Sequence, residues 1–130
     1  MRRVDGIGGV FFKARDPDAL RAWYRQHLGL DIQEWGGLAF PPTTAPAAGE
    51  AVPLSAHTTW CIFPGDTNYF GPGGAPFMIN YRVADLDTLL ALLRAEGCEV
   101  DDKTDASEYG KFGWVTDPEG NRIELWQPPA

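Results

Sequence analysis

The side chains best suited to chemistry cluster near the C-terminus, in F-G-W-V-T-D-P-E-G-N-R-I-E-L-W-Q-P, residues 112–128. Asp117, Pro118, Glu119, Gly120 and Asn121 are turn formers between two runs rich in β-forming residues, which predicts a β-hairpin. A register symmetric about that turn sets Thr116 opposite Arg122, Trp114 opposite Glu124 and Phe112 opposite Trp126. Val115, Ile123 and Leu125 then point the other way, because side chains alternate along a strand. The first face carries two tryptophans, a phenylalanine, an arginine and a carboxylate. A broad aromatic core with a surface ion pair is one account of it; the wall of a ligand cavity is the better one. In such a cavity Glu124 is a candidate general base, with Lys13, Arg82 or Arg122 as electrostatic partner, or the countercharge for a ligand amine. Pairing of Arg122 with Glu124 at the cavity rim is the competing arrangement.

The elements that must hold this face follow in chain order. Residues 7–14 read as a strand, with Val10, Phe12 and Ala14 on one face and Gly9, Phe11 and Lys13 on the other. Asp16-Pro17-Asp18 predicts a helix start: an N-cap acid, a proline at the first helical position and a second acid near the positive helix end. Leu20, Trp23, Tyr24, His27 and Leu28 follow at helical spacing, and Gly29 stops the helix. His27 is read as a packing or capping residue. Residues 30–35 and 38–40 are expected strands around Gly36-Gly37. Residues 41–56, rich in Pro and Ala, predict a long loop, a lid or binding segment on one reading and disorder on the other. Residues 57–63 form a further strand, with His57 toward the helix side. The Gly/Pro-rich residues 66–76 read as a linker. A strand over 77–83 follows, then a helix opened by Asp85 and Asp87, with Leu86, Leu89, Leu90 and Leu93 on one stripe and Gly97 as its stop. Residues 98–100 begin a strand, and Asp101, Asp102, Asp105 and Glu108 make an acidic, solvated loop.

Composition narrows the function. A chain of 130 residues supports one domain with its own core. The net charge of −7 and a pI near 4.6 argue against nucleic acid and anionic membranes and favour neutral or cationic ligands. No apolar run approaches the roughly 18 residues of a membrane span. Asp5 interrupts the N-terminal stretch, so a secretory signal is not expected. Cys61 and Cys98 predict neither a disulfide framework nor a zinc motif, and a cytoplasmic protein with free thiols is the expectation.

The two halves share one grammar: strand, acidic helix start, apolar helix ending in Gly, then strands. Residues 9–20 match residues 78–89 at an offset of 69, so that Lys13 meets Arg82, Asp16 meets Asp85 and Leu20 meets Leu89. T-W-C-I-F-P, residues 59–64, likewise overlays I-E-L-W-Q-P, residues 123–128. Tandem βαβββ units result, each with one helix to cover one face of its sheet, leaving a cavity on the other. With G-V-F-F-K-A-R-D-P and W-Y-R-Q-H-L-G-L in the first half, I-N-Y-R-V-A-D-L-D in the second, and D-P-E-G-N-R-I-E-L-W-Q-P at the end, the chain resembles the glyoxalase, bleomycin-resistance and extradiol-dioxygenase (vicinal oxygen chelate) superfamily. The resemblance implies an α+β fold: two tandem βαβββ modules, residues 1–64 and 77–130 of a single domain 1–130, forming a curled mixed sheet with a central cavity. It also implies a homodimer, domain-swapped or not.

Metal-dependent members of that superfamily carry ligands at four equivalent positions, which fall here on Gly9, Trp60, Met78 and Glu124. Only Glu124 suits a hard cation, so no metal or other cofactor is expected. Strand parity within this fold predicts a cavity lined by Phe11, Lys13, Trp60 and Ile62 from the first half. From the second come Met78, Asn80, Arg82, Phe112, Trp114, Arg122, Glu124 and Trp126. Tryptophan faces and a methionine suit a planar or cationic molecule. The expectation is thus a metal-free, bleomycin-resistance-like protein that binds, and so sequesters, a small aromatic or cationic compound. A lyase or isomerase using Glu124 as base or sole metal ligand, and a structural module with a filled cavity, are the alternatives.

Overall fold

The computed structural model describes residues 3–42 and 51–130. Half of the predicted Pro/Ala loop, residues 43–50, lies outside them. The first half contributes β1 (Gly6–Ala14), α1 (Pro17–Leu28), β2 (Gly37–Phe40) and β3 (Thr58–Pro64). The second contributes β4 (Phe77–Arg82), α2 (Leu86–Ala95), β5 (Glu99–Val100), β6 (Asp105–Ser107), β7 (Gly110–Thr116) and β8 (Arg122–Gln127). One 3-10 turn, Leu54–Ala56, precedes β3.

Capping chemistry starts and stops the helices as the sequence predicts. The Asp16 carboxylate accepts from the Ala19 amide and Asp85 from that of Thr88. Gly29 closes α1 in the left-handed region, at φ 67°. Residues 30–35 do not form the expected strand. Arg21 and Arg25 of α1 instead donate to the carbonyls of Gly36 and Ile32, tying that stretch to the helix as irregular chain.

The eight strands of the described residues join one mixed sheet in the order β2-β3-β1-β4-β8-β7-β5, with β6 also paired to β7. The halves meet edge to edge in the antiparallel β1–β4 pair, inside one chain. Each half adds a parallel neighbour, β3 beside β1 and β8 beside β4. The β7–β8 register is the one the turn residues predict: Thr116 opposite Arg122, Trp114 opposite Glu124, Phe112 opposite Trp126. Asp117 fixes that turn by accepting from the amides of Glu119 and Asn121, and Gly120 supplies φ 86°.

One sheet face is covered by the helices, but unequally. From α2, Leu86, Leu89 and Leu90 are buried against Val83 and Leu125. From α1 no residue is buried, and Tyr24 reaches the sheet through edge-on contacts with Trp60 and Phe12. On the opposite, concave face lies a second core of Phe11, Cys61, Phe70, Met78 and Trp114. Phe70 comes from the segment read as a linker. That segment turns inward and fills one end of the concavity.

Candidate functional site

Glu124 sits at the centre of the concave face. It neighbours Asn80 across the parallel β4–β8 pair and Trp114 across the hairpin. Asn80 Nδ2 donates to Glu124 Oε1 at 2.7 Å and Trp114 Nε1 donates to Oε2 at 3.0 Å. The Tyr69 hydroxyl also donates to Oε2. Glu124 is 2% exposed, and no cationic side chain among the described residues pairs with it. A buried carboxylate is tolerated only when its lost hydration is replaced, and three neutral donors do so here. Burial first, then the Glu124 charge, pushes the Tyr69 phenol far above its ordinary range. The phenol therefore keeps its proton at neutral pH and donates a hydrogen bond to Glu124.

Beside this polar cluster opens a cavity of about 580 Å³. Phe11, Phe112 and Trp126 wall it, and Asn80 and Glu124 supply its polar side. Gly8, Ala39 and Thr59 leave room, and Leu54 adds apolar surface. Trp35 and Tyr109, each more than half exposed, stand at its outer edge. Trp126 is fixed by its Nε1 donating to the Tyr109 carbonyl at 2.8 Å.

Five residues expected from the sequence therefore line the cavity: Phe11, Asn80, Phe112, Glu124 and Trp126. Met78 and Trp114 share their face but are sealed in the core around Phe70. Trp60 and Ile62 point the other way. The register sets Gly9 beside Thr59 and Phe11 beside Cys61, so Thr59 and Cys61 share the concave face. Trp60 instead packs 5.3 Å from the Phe12 ring and 5.0 Å from that of Tyr24, under α1. The run T-T-W-C-I-F is apolar on both faces, so alternation alone could not set its phase.

None of the three expected cations lines the cavity. Lys13 Nζ lies over the Phe70 ring at 5.4 Å. Arg82 lies against the backbone of Gly6. Arg122 pairs with Asp101 at 3.0 Å and covers the Trp114 ring, so the competing arrangement, its pairing with Glu124, does not form. Tyr69 went unrecognised. Its only signal was an aromatic pair, Tyr69-Phe70, inside a Gly/Pro-rich stretch that a mere linker would not require.

A family model described as "Glyoxalase-like domain" matches residues 9–126. The chain belongs to the glyoxalase-like domain family. Solved structures agree in fold. Methylmalonyl-CoA epimerase from Mycobacterium tuberculosis is 20% identical, with a TM-score of 0.63, over 100% of this chain and 92% of that one. A Streptomyces coelicolor methylmalonyl-CoA epimerase variant in complex with 2-nitronate-propionyl-CoA is 16% identical, with a TM-score of 0.68, over 98% and 99% of the two chains. A glyoxalase/bleomycin resistance protein/dioxygenase superfamily member from Vibrio splendidus 12B01 is 12% identical, with a TM-score of 0.55, over 91% and 95%. No curated protein sequence matches the chain.

The donors needed for a metal by the glyoxalase-like pattern do not fit. The 69-residue offset matches Phe11 to Asn80, and their parallel neighbours are Cys61 and Glu124. The counterpart of Glu124 is therefore Cys61, one place from the expected Trp60. Burial pushes the Cys61 thiol up, away from the thiolate a metal would need. The remaining corners are Gly9, without a side chain, and Met78, a thioether packed in the core. Among the described residues no group of three or more His, Cys, Asp or Glu could hold an ion.

Proposed function

We propose that this glyoxalase-like protein binds, without a metal, a small aromatic or cationic molecule, and that sequestration of such a compound, a drug included, is its role. The observation that carries the reading is the charge pattern of the cavity. Its aromatic walls meet one buried carboxylate, and no Lys, Arg or His is among its described lining residues. Flat rings stack on Phe112 and Trp126, and Glu124 repels anions and attracts cations. The volume lies within the roughly 300–1,000 Å³ usual for small-molecule sites. A wholly filled cavity, as a structural module would have, is not what Phe70 achieves, since it occupies one end only. The isomerase or lyase alternative would use Glu124 as its base; Tyr69, Trp114 and Asn80 already donate to it, which leaves one acceptor position, on Oε1, to take a proton. A cytoplasmic setting suits the two free cysteines. No described helix is long and apolar enough to cross a membrane. A homodimer belongs to the same proposal, supported by the exposed Trp23 and Leu28 of α1; a monomeric mass in sedimentation would remove it.

Trp35 and Trp126 give the test. Titration with a panel of planar, cationic and anionic aromatic compounds should quench tryptophan fluorescence at micromolar concentrations for neutral and cationic members. Quenching by none of them would refute the reading.

A further inference from the structure

Two exposed rings, one from each half, stand at the outer edge of the cavity. Trp35 is 56% exposed and Tyr109 58%, and both line it. Trp35 precedes β2, and Tyr109 lies in the turn between β6 and β7. Along the order β2-β3-β1-β4-β8-β7 those places are separated by about five strand spacings, roughly 24 Å in a flat sheet. The curl of the sheet brings them to one cavity, so its mouth is flanked by a ring from each end of the sheet.

Both rings are held in place. A Cβ at Gly37 would stand 2.6 Å from Trp35 Cζ3, so glycine there makes room for the indole. The Tyr109 amide donates to Ser107 Oγ at 3.1 Å, and its carbonyl accepts from Trp126 Nε1 at 2.8 Å. Among the described residues the protein's own cations lie over the rings of Phe70 and Trp114, not over these two. Glu34 and Glu108, their neighbours in the chain, are exposed. An aromatic face attracts a cation, and an alkylated ammonium is the form that aromatic cages take.

We infer that Trp35 and Tyr109 form a two-ring mouth for an alkylated ammonium group, carried by a ligand whose aromatic body lies against Phe112 and Trp126. The inference rests on the binding reading above and narrows its ligand to an aromatic compound with a tertiary or quaternary ammonium substituent. Ala39 and Leu54 of the same cavity offer apolar surface to the alkyl groups.

Equilibrium dialysis of the full chain with two probes of one shape tests this: (1-naphthylmethyl)trimethylammonium and its uncharged carbon analogue, 1-neopentylnaphthalene. The cation should bind about fivefold to thirtyfold more tightly, the size expected of two cation–π contacts. Equal affinities overturn the mouth and leave the binding reading standing. Binding of neither probe overturns the mouth, and the binding reading with it if the wider fluorescence panel also fails.

The protein's negative charge alone would favour the cation, so two variants complete the test. Trp35→Leu and Tyr109→Leu each remove a ring face and keep the net charge and an apolar side chain. In each, the ratio of the two affinities should fall about twofold to fivefold, and in the double variant the two losses should combine. A role in shape or folding alone would weaken both probes alike and leave the ratio as it was. Circular dichroism first checks each fold, and either single variant decides if the other does not fold. A ratio unchanged in a folded variant overturns the proposal.

Discussion

Replacing Tyr69 by phenylalanine removes one oxygen and leaves the ring packed 5.5 Å from Phe63, nearly parallel to it. The hydroxyl donates to a carboxylate that is 2% exposed, so its loss leaves Glu124 with the Asn80 and Trp114 donors only. A hydrogen bond to a charged group contributes about 1.5–3 kcal/mol, and water cannot readily replace this one. For a domain of this size each kcal/mol moves Tm by about 3–5 °C, so Tyr69→Phe should melt about 5–15 °C lower. The pH dependence gives a second, independent reading. Burial and the Glu124 charge raise the folded-state pKa of Tyr69 above its unfolded value. The contribution is therefore whole below about pH 10, where the unfolded phenol is protonated, and is lost as pH rises beyond it. Above that point the unfolded chain has released a proton that the native chain keeps, so stability falls by up to about 1.4 kcal/mol per pH unit. Urea unfolding at pH 8, 10 and 11 checks this. The gap between parent and variant should be widest at pH 8 and narrow toward pH 11. A Tm change under about 1 °C, or a gap independent of pH, would refute the account of the Glu124 cluster.

Trp126→Phe should abolish most of the ligand-induced fluorescence change, whereas Trp60→Phe, on the α1 side of the sheet, should leave it within about a fifth of the parent signal; parallel titrations decide it. Millimolar zinc, nickel, manganese or magnesium should shift Tm by less than about 1 °C, because a site with one carboxylate gives no linkage; a shift of several degrees would restore a metal centre. Gly110→Ala should lower stability by several kcal/mol, about 3 or more, since its φ of 113° and a Cβ 2.2 Å from the Gln127 carbonyl offer no relief; equilibrium denaturation measures this.

What could be read from the chain depended on whether a local rule had a single answer. The hairpin did: Asp117, Pro118, Gly120 and Asn121 admit one turn, and the turn fixes which residues oppose Glu124. The helix limits did as well, because Asp16, Pro17 and Gly29 each suit one place only. The phase of β3 did not. Trp60, Cys61, Ile62 and Phe63 are apolar in succession, and an apolar residue fits either face of a sheet covered on both sides. Tyr69 was harder still, because its place depends on a loop folding back onto a sheet whose nearest strand partners lie tens of residues away. The long-range carboxylate, not the local sequence, holds it. The cations were misplaced for a related reason: parity gives the face but not the depth, and Lys13, Arg82 and Arg122 are long enough to leave the centre for other partners.

The repeat explains why the cavity is lopsided. A chain built from two matched halves offers every position twice, and function requires that the copies differ. At the inner corners they differ completely: Gly9 against Met78, Cys61 against Glu124. The second half supplies the charge and its donors Asn80 and Trp114, and the connection between halves adds Tyr69 to the charge and Phe70 to the core. Beside that polar centre the first half supplies small groups, Gly8, Ala39 and Thr59. Both halves supply ring faces, Phe11 and Trp35 against Phe112 and Trp126, but charge comes from the second alone, and the pocket has one polar wall. A ligand entering it meets negative charge at that wall and ring faces elsewhere, so orientation is imposed before any contact specific to its outer atoms is made. It follows that enlarging Ala39 should cost affinity for every compound the cavity takes, and enlarging Gly8 should do so too, since a Cβ there would stand 2.7 Å from the Trp126 ring; the same fluorescence titrations measure both.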